Sequence, residues 1–488
     1  MTDTPAQTAE KMALRVYDTR SRAKRDFEPH VPDKVRIYAC GITPYSPSHL
    51  GHARQAIAFD VITRWLRHSG YDVHYVTNFT DIDDKIIAAA NEQGVDFSQV
   101  AETNIADYYT VMDAMNVLRA DAYPRVSETL PEIIDMVEIL IEKGHAYVGN
   151  DGVYFDIDSA PEKYGQLTGQ TLEMVRAGAG GRVAETGSGK RDHRDFALWK
   201  LAKSGEPSWG SPWGEGRPGW HIECSAMSLK HLGETFDIHG GGADLLFPHH
   251  EAEIFQSECC LGIEPVVKYW LHNGLINVDG EKMSKSLGNF WTISDTFEHV
   301  DPLSLRYALL NAPYRQPIEF NMAMLEESEK HHERMIAVYG AALVAAGSAA
   351  WAGCDTLEAA SDRFTAGMND DFNSRTAMIE VQAVVRELRA LLDKGTDAEF
   401  IAAGVGWLDE FAGDILGLLP AEDTVRASVA QGEGARSDLA SIVEPLLEQR
   451  AAARAASDWT RADEIREELN ALGVVVEDSP DGPVWRLE

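Results

Sequence analysis

The period of apolar and polar positions changes along the chain and marks out successive elements. Val35 to Cys40 (VRIYAC) is a short, mostly apolar run, which predicts a buried strand. A loop rich in Pro and Ser follows. In HARQAIAFDVITRWLRHSG, Ile57, Val61 and Trp65 fall four apart, as do Ala58, Ile62 and Leu66. That spacing predicts an amphipathic helix with Gly70 at its C-terminal cap. Asp72 to Phe79 (DVHYVTNF) predicts a second strand, so this part of the chain reads as a right-handed βαβ unit. The run LPEIIDMVEILIEKGHAY, near 130–147, predicts a helix leading into a strand. Thr235 to His239 (TFDIH) predicts a strand running into Gly240-Gly241-Gly242, with a helix from about His249 to Cys260. Beyond residue 300 the pattern is almost wholly helical. PAEDTVRASVAQGEGARS, near 420–437, is polar and reads as a linker. The last stretch reads as a helix pair followed by a hairpin in VVVEDSPDGPVWRL.

Composition adds scale and compartment. With 488 residues, 44% of them hydrophobic, the chain can build two to four domains with sizeable cores. Lys plus Arg is 44 and Asp plus Glu is 78, a net charge of -34. An acidic body favours solubility and does not exclude nucleic acid, because only the local field of a basic stripe matters there. Five cysteines (Cys40, Cys224, Cys259, Cys260 and Cys354) are an odd number in a long chain. They point to metal or catalytic thiols in a reducing cytoplasm rather than to a disulfide framework. The first 25 residues lack the apolar core of a signal peptide. Met335 to Gly353 is uncharged and nearly long enough for a membrane span, but it is Ala- and Gly-rich and continues a charged helical run. It is expected to be a bundle helix fraying into a loop, with no membrane partner.

Two segments offer phosphate chemistry, although taken alone the first also reads as capping histidines and the second as a basic surface turn. Pro47-Ser48-His49-Leu50-Gly51-His52 follows a strand and opens a helix. A helix N-terminus offers unpaired N–H groups to an anion. His49 and His52 share one face of the first turn, where they can donate to phosphate oxygens as charge shifts, and Gly51 lets a nucleotide approach the backbone. Lys282-Met283-Ser284-Lys285-Ser286 supplies two point charges for a triphosphate. GSGK at 187–190 is not a phosphate loop. Ala184 stands at the first glycine position, and Arg191 replaces the required Ser or Thr.

In this order the two segments resemble the signatures of class I aminoacyl-tRNA synthetases. Longer blocks narrow the resemblance. Asn78-Phe-Thr80-Asp-Ile-Asp-Asp-Lys85, Asp195-Phe-Ala-Leu-Trp-Lys200, Gly219-Trp220-His-Ile-Glu-Cys224-Ser-Ala-Met227 and His239-Gly-Gly-Gly-Ala-Asp-Leu-Leu-Phe-Pro-His249-His-Glu-Ala-Glu253 are similar to cysteinyl-tRNA synthetases. The resemblance runs from about residue 14 to the C-terminus. It implies an α/β fold: a doubly wound parallel sheet in two halves (14–130 and 215–275) split by an insertion (131–214). A region bearing KMSKS (276–315), a helical bundle (316–420) and a small anticodon-binding module (437–488) would follow. It implies activation of L-cysteine by ATP with Mg²⁺ and transfer to tRNA(Cys). His49, His52, Lys282 and Lys285 would be catalytic, with His49, Gly51, His52 and Lys285 on ATP. Gly41, Thr80 and Trp220 would bind cysteine, and Arg454, Asp463 and Asp478 would meet anticodon bases, as carboxylates accept from base amino groups and Arg pairs with guanine edges or phosphate.

The resemblance also implies one zinc ion per chain on Cys40, Cys224, His249 and Glu253. His249 and Glu253, four apart, share a helical face, but spacing alone would not unite three distant segments. Two thiolates, an imidazole and a carboxylate suit zinc, and zinc suits a substrate thiolate far better than a serine hydroxyl. One block departs from the family pattern. Gly41-Ile42-Thr43-Pro44-Tyr45 resembles instead the ligases that join cysteine to an amino-sugar inositol in mycothiol synthesis, which lack a terminal anticodon module.

Overall fold

The computed structural model describes residues 13–169, 189–278, 280–283, 290–346, 351, 354–455, 458–471, 474–479 and 482–487. A hairpin, β1 (Arg15–Asp18) and β2 (Ala23–Asp26), precedes the first long strand, β3 (Lys34–Ile42). Helix α1 (Leu50–His68) crosses to β4 (Asp72–Phe79), which pairs parallel with β3. Gly70, with φ +88°, stands one residue past the cap residue Ser69 and ends the helix. α1 is not the one-faced helix its spacing predicts. Fourteen of its 19 residues are buried, including Arg54, Asp60, Thr63 and Arg64.

After β4 come α2 (Asp84–Gln93), α3 (Phe97–Ala114) and α4 (Leu130–Glu142). An antiparallel sheet follows, β5 (Ala146–Val148), β6 (Gly152–Phe155), β7 (Phe196–Leu201) and β8 (Gly216–Pro218). Most of the Gly178–Lys190 stretch lies outside the described residues. α5 (Trp220–Leu232) leads back to β9 (Phe236–Gly242), then α6 (Glu251–Leu261) and β10 (Val267–Asn273). β9 runs through the three glycines that the sequence pattern leaves beyond the strand.

The central sheet has the order β10-β9-β3-β4, all parallel. From β3 the chain moves outward to β4 on one side, and later to β9 on the other. The topological switch therefore lies between β3 and β9, and a crevice opens at their carboxyl ends. Alternation along β3 assigns its side chains to two layers. Ile37 and Ala39 join the core beneath α1, whereas Tyr38 and Cys40 join the core shared with α4, α5 and α6. Cys40 and Cys224 thus belong to one layer.

A small sheet of β11 (Ile276–Val278), β12 (Glu281–Lys282) and the later β13 (Ile318–Phe320) flanks the crevice, with α7 (Ile293–Phe297) and α8 (Pro302–Leu310) between. The bundle is built of α9 (Met322–Ala346), α10 (Asp355–Asn369), α11 (Ser374–Lys394) and α12 (Ala398–Leu408). α9 covers the start of the uncharged Met335–Gly353 stretch, and no described helix is long and apolar enough to cross a membrane. The polar stretch at 420–437 is not a linker. It belongs to α13 (Glu422–Ala455), 34 residues long, because its Ala, Glu, Gln and Arg residues are good helix formers. α13 joins the bundle to a module of α14 (Trp459–Ala471) and the hairpin β14 (Val474–Ser479) and β15 (Gly482–Leu487).

Candidate active site and metal centre

The crevice begins at the start of α1. His49 is the N-cap, and its Nδ1 accepts from the Gly51 N–H at 3.1 Å. His52 Nδ1 accepts from the His49 N–H at 3.4 Å. Two histidines thus form a reciprocal capping box, with rings stacked 3.6 Å apart. A neutral imidazole whose Nδ1 accepts must carry its proton on Nε2. Each ring therefore presents an N–H donor, and both residues line the crevice with Gly51.

The segment after KMSKS is tied to the same point. Leu50 N–H donates to the Trp291 carbonyl at 3.3 Å, and Ile293 N–H donates to Ser48 at 2.9 Å. The Phe290 ring meets His49 edge-on at 5.1 Å, while buried Met283 lines the crevice. Lys282 closes β12. Lys285 lies outside the described residues. The two ends of its segment, Met283 and Phe290, nevertheless sit at the crevice.

Next to the crevice, adjoining it through Gly41 and Trp220, four buried side chains from three distant segments converge. Ligand atoms of Cys40, Cys224, His249 and Glu253 all lie within 4.8 Å of one another. Cys40 Sγ is 3.4 Å and His249 Nε2 3.1 Å from Glu253 Oε1. Burial holds His249 down to about 3, so its imidazole is neutral, the form that binds metal. Burial, then the neighbouring Cys224 and Glu253, push the Cys40 thiol well up. Glu253 Oε2 is buried without a hydrogen-bond partner. A cation would offset these costs, and the donor set fits zinc.

A second quartet overlaps the first: Cys40, His239, His250 and Glu253. Its imidazoles also have partners outside the quartet. His239 stacks on Trp270 at 4.4 Å, and His250 Nδ1 is 2.7 Å from His272 Nε2, whose Nδ1 meets Thr19 Oγ1 at 2.9 Å. We favour the first quartet, since it holds both thiols and adjoins the crevice through Trp220, whose ring lies 4.4 Å from that of His249. His239 and His250, each near Cys40 Sγ at 3.4 and 3.3 Å, then act as the hydrogen-bonding surround that orients ligands.

Gly41 and Trp220 line the crevice, but Thr80 stands behind it, fully enclosed. Asn78 links them: its Oδ1 accepts from Gly41 N–H at 2.8 Å, and its Nδ2 donates to Thr80 Oγ1 at 3.2 Å. A Cβ on Gly41 would fall 1.6 Å from the Asn78 carbonyl oxygen, so only glycine fits. Sequence reasoning left His250 open between a partner of the ligands and an exposed residue, and the structure buries it; it gave no role to Asn78, His221, His239 and His272. Histidines at the carboxyl ends of β9 and β10 were the available signal. Far away, Arg454 and Asp463 are exposed at the junction of α13 and α14, and Asp478 lies in β14.

Comparison with known proteins agrees with this geometry. Residues 26–330 match the tRNA synthetases class I (C) catalytic domain, 363–420 a DALR domain, and 436–486 the cysteinyl-tRNA ligase anticodon binding domain. The last is the module that the amino-sugar ligase alternative lacks, and that alternative is not favoured. A cysteine–tRNA ligase of Shewanella sediminis (strain HAW-EB3) is 48% identical over 480 residues, spanning 97% of this chain and 99% of the relative. One of Cronobacter sakazakii (strain ATCC BAA-894) is 45% identical over 474 residues, with the same coverage. Among solved structures, Mycobacterium tuberculosis methionyl-tRNA synthetase in complex with methionyl-adenylate aligns at TM-score 0.57 and 18% identity, covering 80% of this chain and 93% of that one. The Agrobacterium radiobacter K84 LeuRS–tRNA–LeuAMS complex aligns at 0.59 and 12%, covering 80% and 85%. Those two show a shared fold alone; with the near full-length relatives and the family matches, the chain belongs to the cysteine–tRNA ligase family of class I aminoacyl-tRNA synthetases.

Proposed function

We propose that the crevice activates L-cysteine with Mg²⁺-bound ATP and that the protein then transfers the cysteinyl group to tRNA(Cys). The observation that carries this reading is the convergence of two thiols, an imidazole and a carboxylate beside a crevice that a capping box of two histidines lines. In the first step the cysteine carboxylate attacks the α-phosphorus of ATP and pyrophosphate leaves. The Nε2–H groups of His49 and His52 donate to phosphate oxygens whose charge grows during attack. Lys282 and Lys285 hold the departing pyrophosphate as point charges. In the second step a ribose hydroxyl of the terminal tRNA nucleotide attacks the acyl carbon, and AMP leaves.

Cys40, Cys224, His249 and Glu253 would hold zinc. Bound there, zinc supplies a soft Lewis acid that takes a thiolate in preference to a hydroxyl. Gly41 lets β3 close against the backbone of β4 at Asn78, and Asn78 and Thr80 fix that wall of the crevice. Trp220 flanks the quartet from the side of α5. Arg454, Asp463 and Asp478 are the groups we assign to the anticodon, remote from the chemistry.

The test is a pair of assays. Cysteine-dependent exchange of pyrophosphate into ATP should proceed without tRNA, and a tRNA(Cys) transcript should accept cysteine but not serine. Exchange without charging of tRNA would overturn the reading.

A further inference from the structure

Among the described residues nine large apolar side chains are exposed, and two of them, Trp220 and Phe247, belong to segments that form the crevice. Trp220 lies over the metal quartet. Phe247 has no part in anything described so far. In the chain it sits between Leu245, which lines the crevice, and His249, of the metal quartet. Leu245 and Leu246 pack against the core shared with α5 and α6. At Phe247 the backbone leaves the helical region for φ -139°, ψ 132°. That extended residue sends the next side chain away from its neighbours' layer, and the ring is 46% exposed. The following Pro248 is exposed too.

An exposed aromatic ring two residues along the chain from a crevice-lining leucine is suited to a planar, unstacked partner. The adenine of ATP does not require it, because Ile276 and Met283 already offer buried apolar walls inside the crevice. The second substrate does. Its reacting nucleotide ends a single strand that must leave solvent and enter the mouth, and single-stranded bases gain by stacking on aromatic side chains whatever their identity. Resting on the tRNA-charging function proposed above, we propose that Phe247 is a stacking platform for a base at the 3′ end of tRNA, positioning the terminal ribose hydroxyl for acyl transfer. It is a positioning residue, remote from adenylate formation.

The test compares F247A and F247W with the wild type in three measurements. Cysteine-dependent pyrophosphate exchange, with KM for ATP and cysteine, should stay within about twofold of wild type in both variants. For F247A, kcat/KM for charging tRNA(Cys) should fall about tenfold, the size of one lost base–aromatic stack, and F247W should restore most of it. Wild type should also bind intact tRNA more tightly than tRNA lacking its 3′-terminal nucleotides, and F247A should abolish that difference. Unchanged charging by F247A would overturn the proposal. So would a parallel loss of exchange, which would mean that the ring serves ATP or cysteine. A wild-type protein that exchanges pyrophosphate but charges no tRNA would instead overturn the functional reading on which this one rests.

Discussion

In the function proposed above, His49 and His52 do two jobs with opposite ends of one ring. Nδ1 closes the first turn of α1, both residues line the crevice, and Nε2–H is the donor assigned to phosphate. The two roles can be separated. Asn caps a helix well but offers nothing in place of the Nε2 donor, so H49N should unfold at nearly the wild-type temperature. Its pyrophosphate exchange should fall by about a hundredfold or more, the usual loss for one donor to developing charge. H49A should show that loss plus about 1 kcal/mol of instability. At the metal quartet, C224S should lose bound zinc, measured by elemental analysis, and cysteine activation together, since a hydroxyl is a poor ligand at neutral pH. Zinc added back should rescue chelator-treated wild type and not C224S. These residues were legible to different degrees. His49 and His52 stand three apart in one segment, so sequence reveals their shared face. Cys40, Cys224, His249 and Glu253 meet only because β3, α5 and α6 pack in one layer, and residue spacing carries no trace of that. Of the histidines around them, His250 could be left only as an open choice and His221, His239 and His272 were hidden, for the same reason.

At the scale of elements, α1 shows where periodicity misleads. The apolar positions are real, yet the polar ones are buried as well. Arg306, wholly enclosed on α8, pairs with Asp60 and donates to the carbonyls of Leu416 at 2.7 Å, Met115 at 3.1 Å and Asn116 at 3.0 Å. Arg64 pairs with the same Asp60 at 2.9 Å and reaches Asp414. The catalytic helix, the end of α3 and the end of the bundle are thus joined through one carboxylate. A sequence pattern scores these charges as solvent-facing because their partners lie up to 350 residues away. Replacing Arg306 by Met leaves the Leu416 and Met115 carbonyls short of a donor, while Asp60 keeps Arg64 at 2.9 Å and the Asn116 carbonyl keeps Arg64 Nη2 at 2.7 Å. A buried polar group left unsatisfied costs about 1–3 kcal/mol, so R306M should show a drop of that order in denaturant unfolding. Asp60→Asn, which leaves two buried guanidiniums without a carboxylate, should lose more, about 3–5 kcal/mol.

Across the whole molecule, activation and base reading are assigned to opposite ends. The helix between them changes how that division is tested. Val425, buried, and Val429 on α13 pack against Gly340 of α9, so a cut near residue 425 would damage the bundle. A chain ending after residue 435 keeps those contacts and lacks the segment matched to the anticodon domain, 436–486. It should exchange pyrophosphate at nearly the full rate and charge tRNA(Cys) at least tenfold less well. Equal losses in both assays would show that the module supports the crevice directly. Sequence reading missed the helix because polar residues with two glycines look alike in a linker and in a helix without an apolar stripe.

α13 also fixes an angle. A helix of 34 residues spans about 50 Å and turns about 100° per residue, so distance and azimuth of the terminal module are locked to one another. One residue inserted between 430 and 440 would advance the module by only about 1.5 Å yet swing its reading face by more than a quarter revolution. Seven would push it out by about 10 Å and leave its heading within about 20° of the original. The bundle therefore holds the module as a threaded shaft holds a vane, sensitive to pitch before reach. Lengths that differ by whole turns would be tolerated where a single-residue change would not.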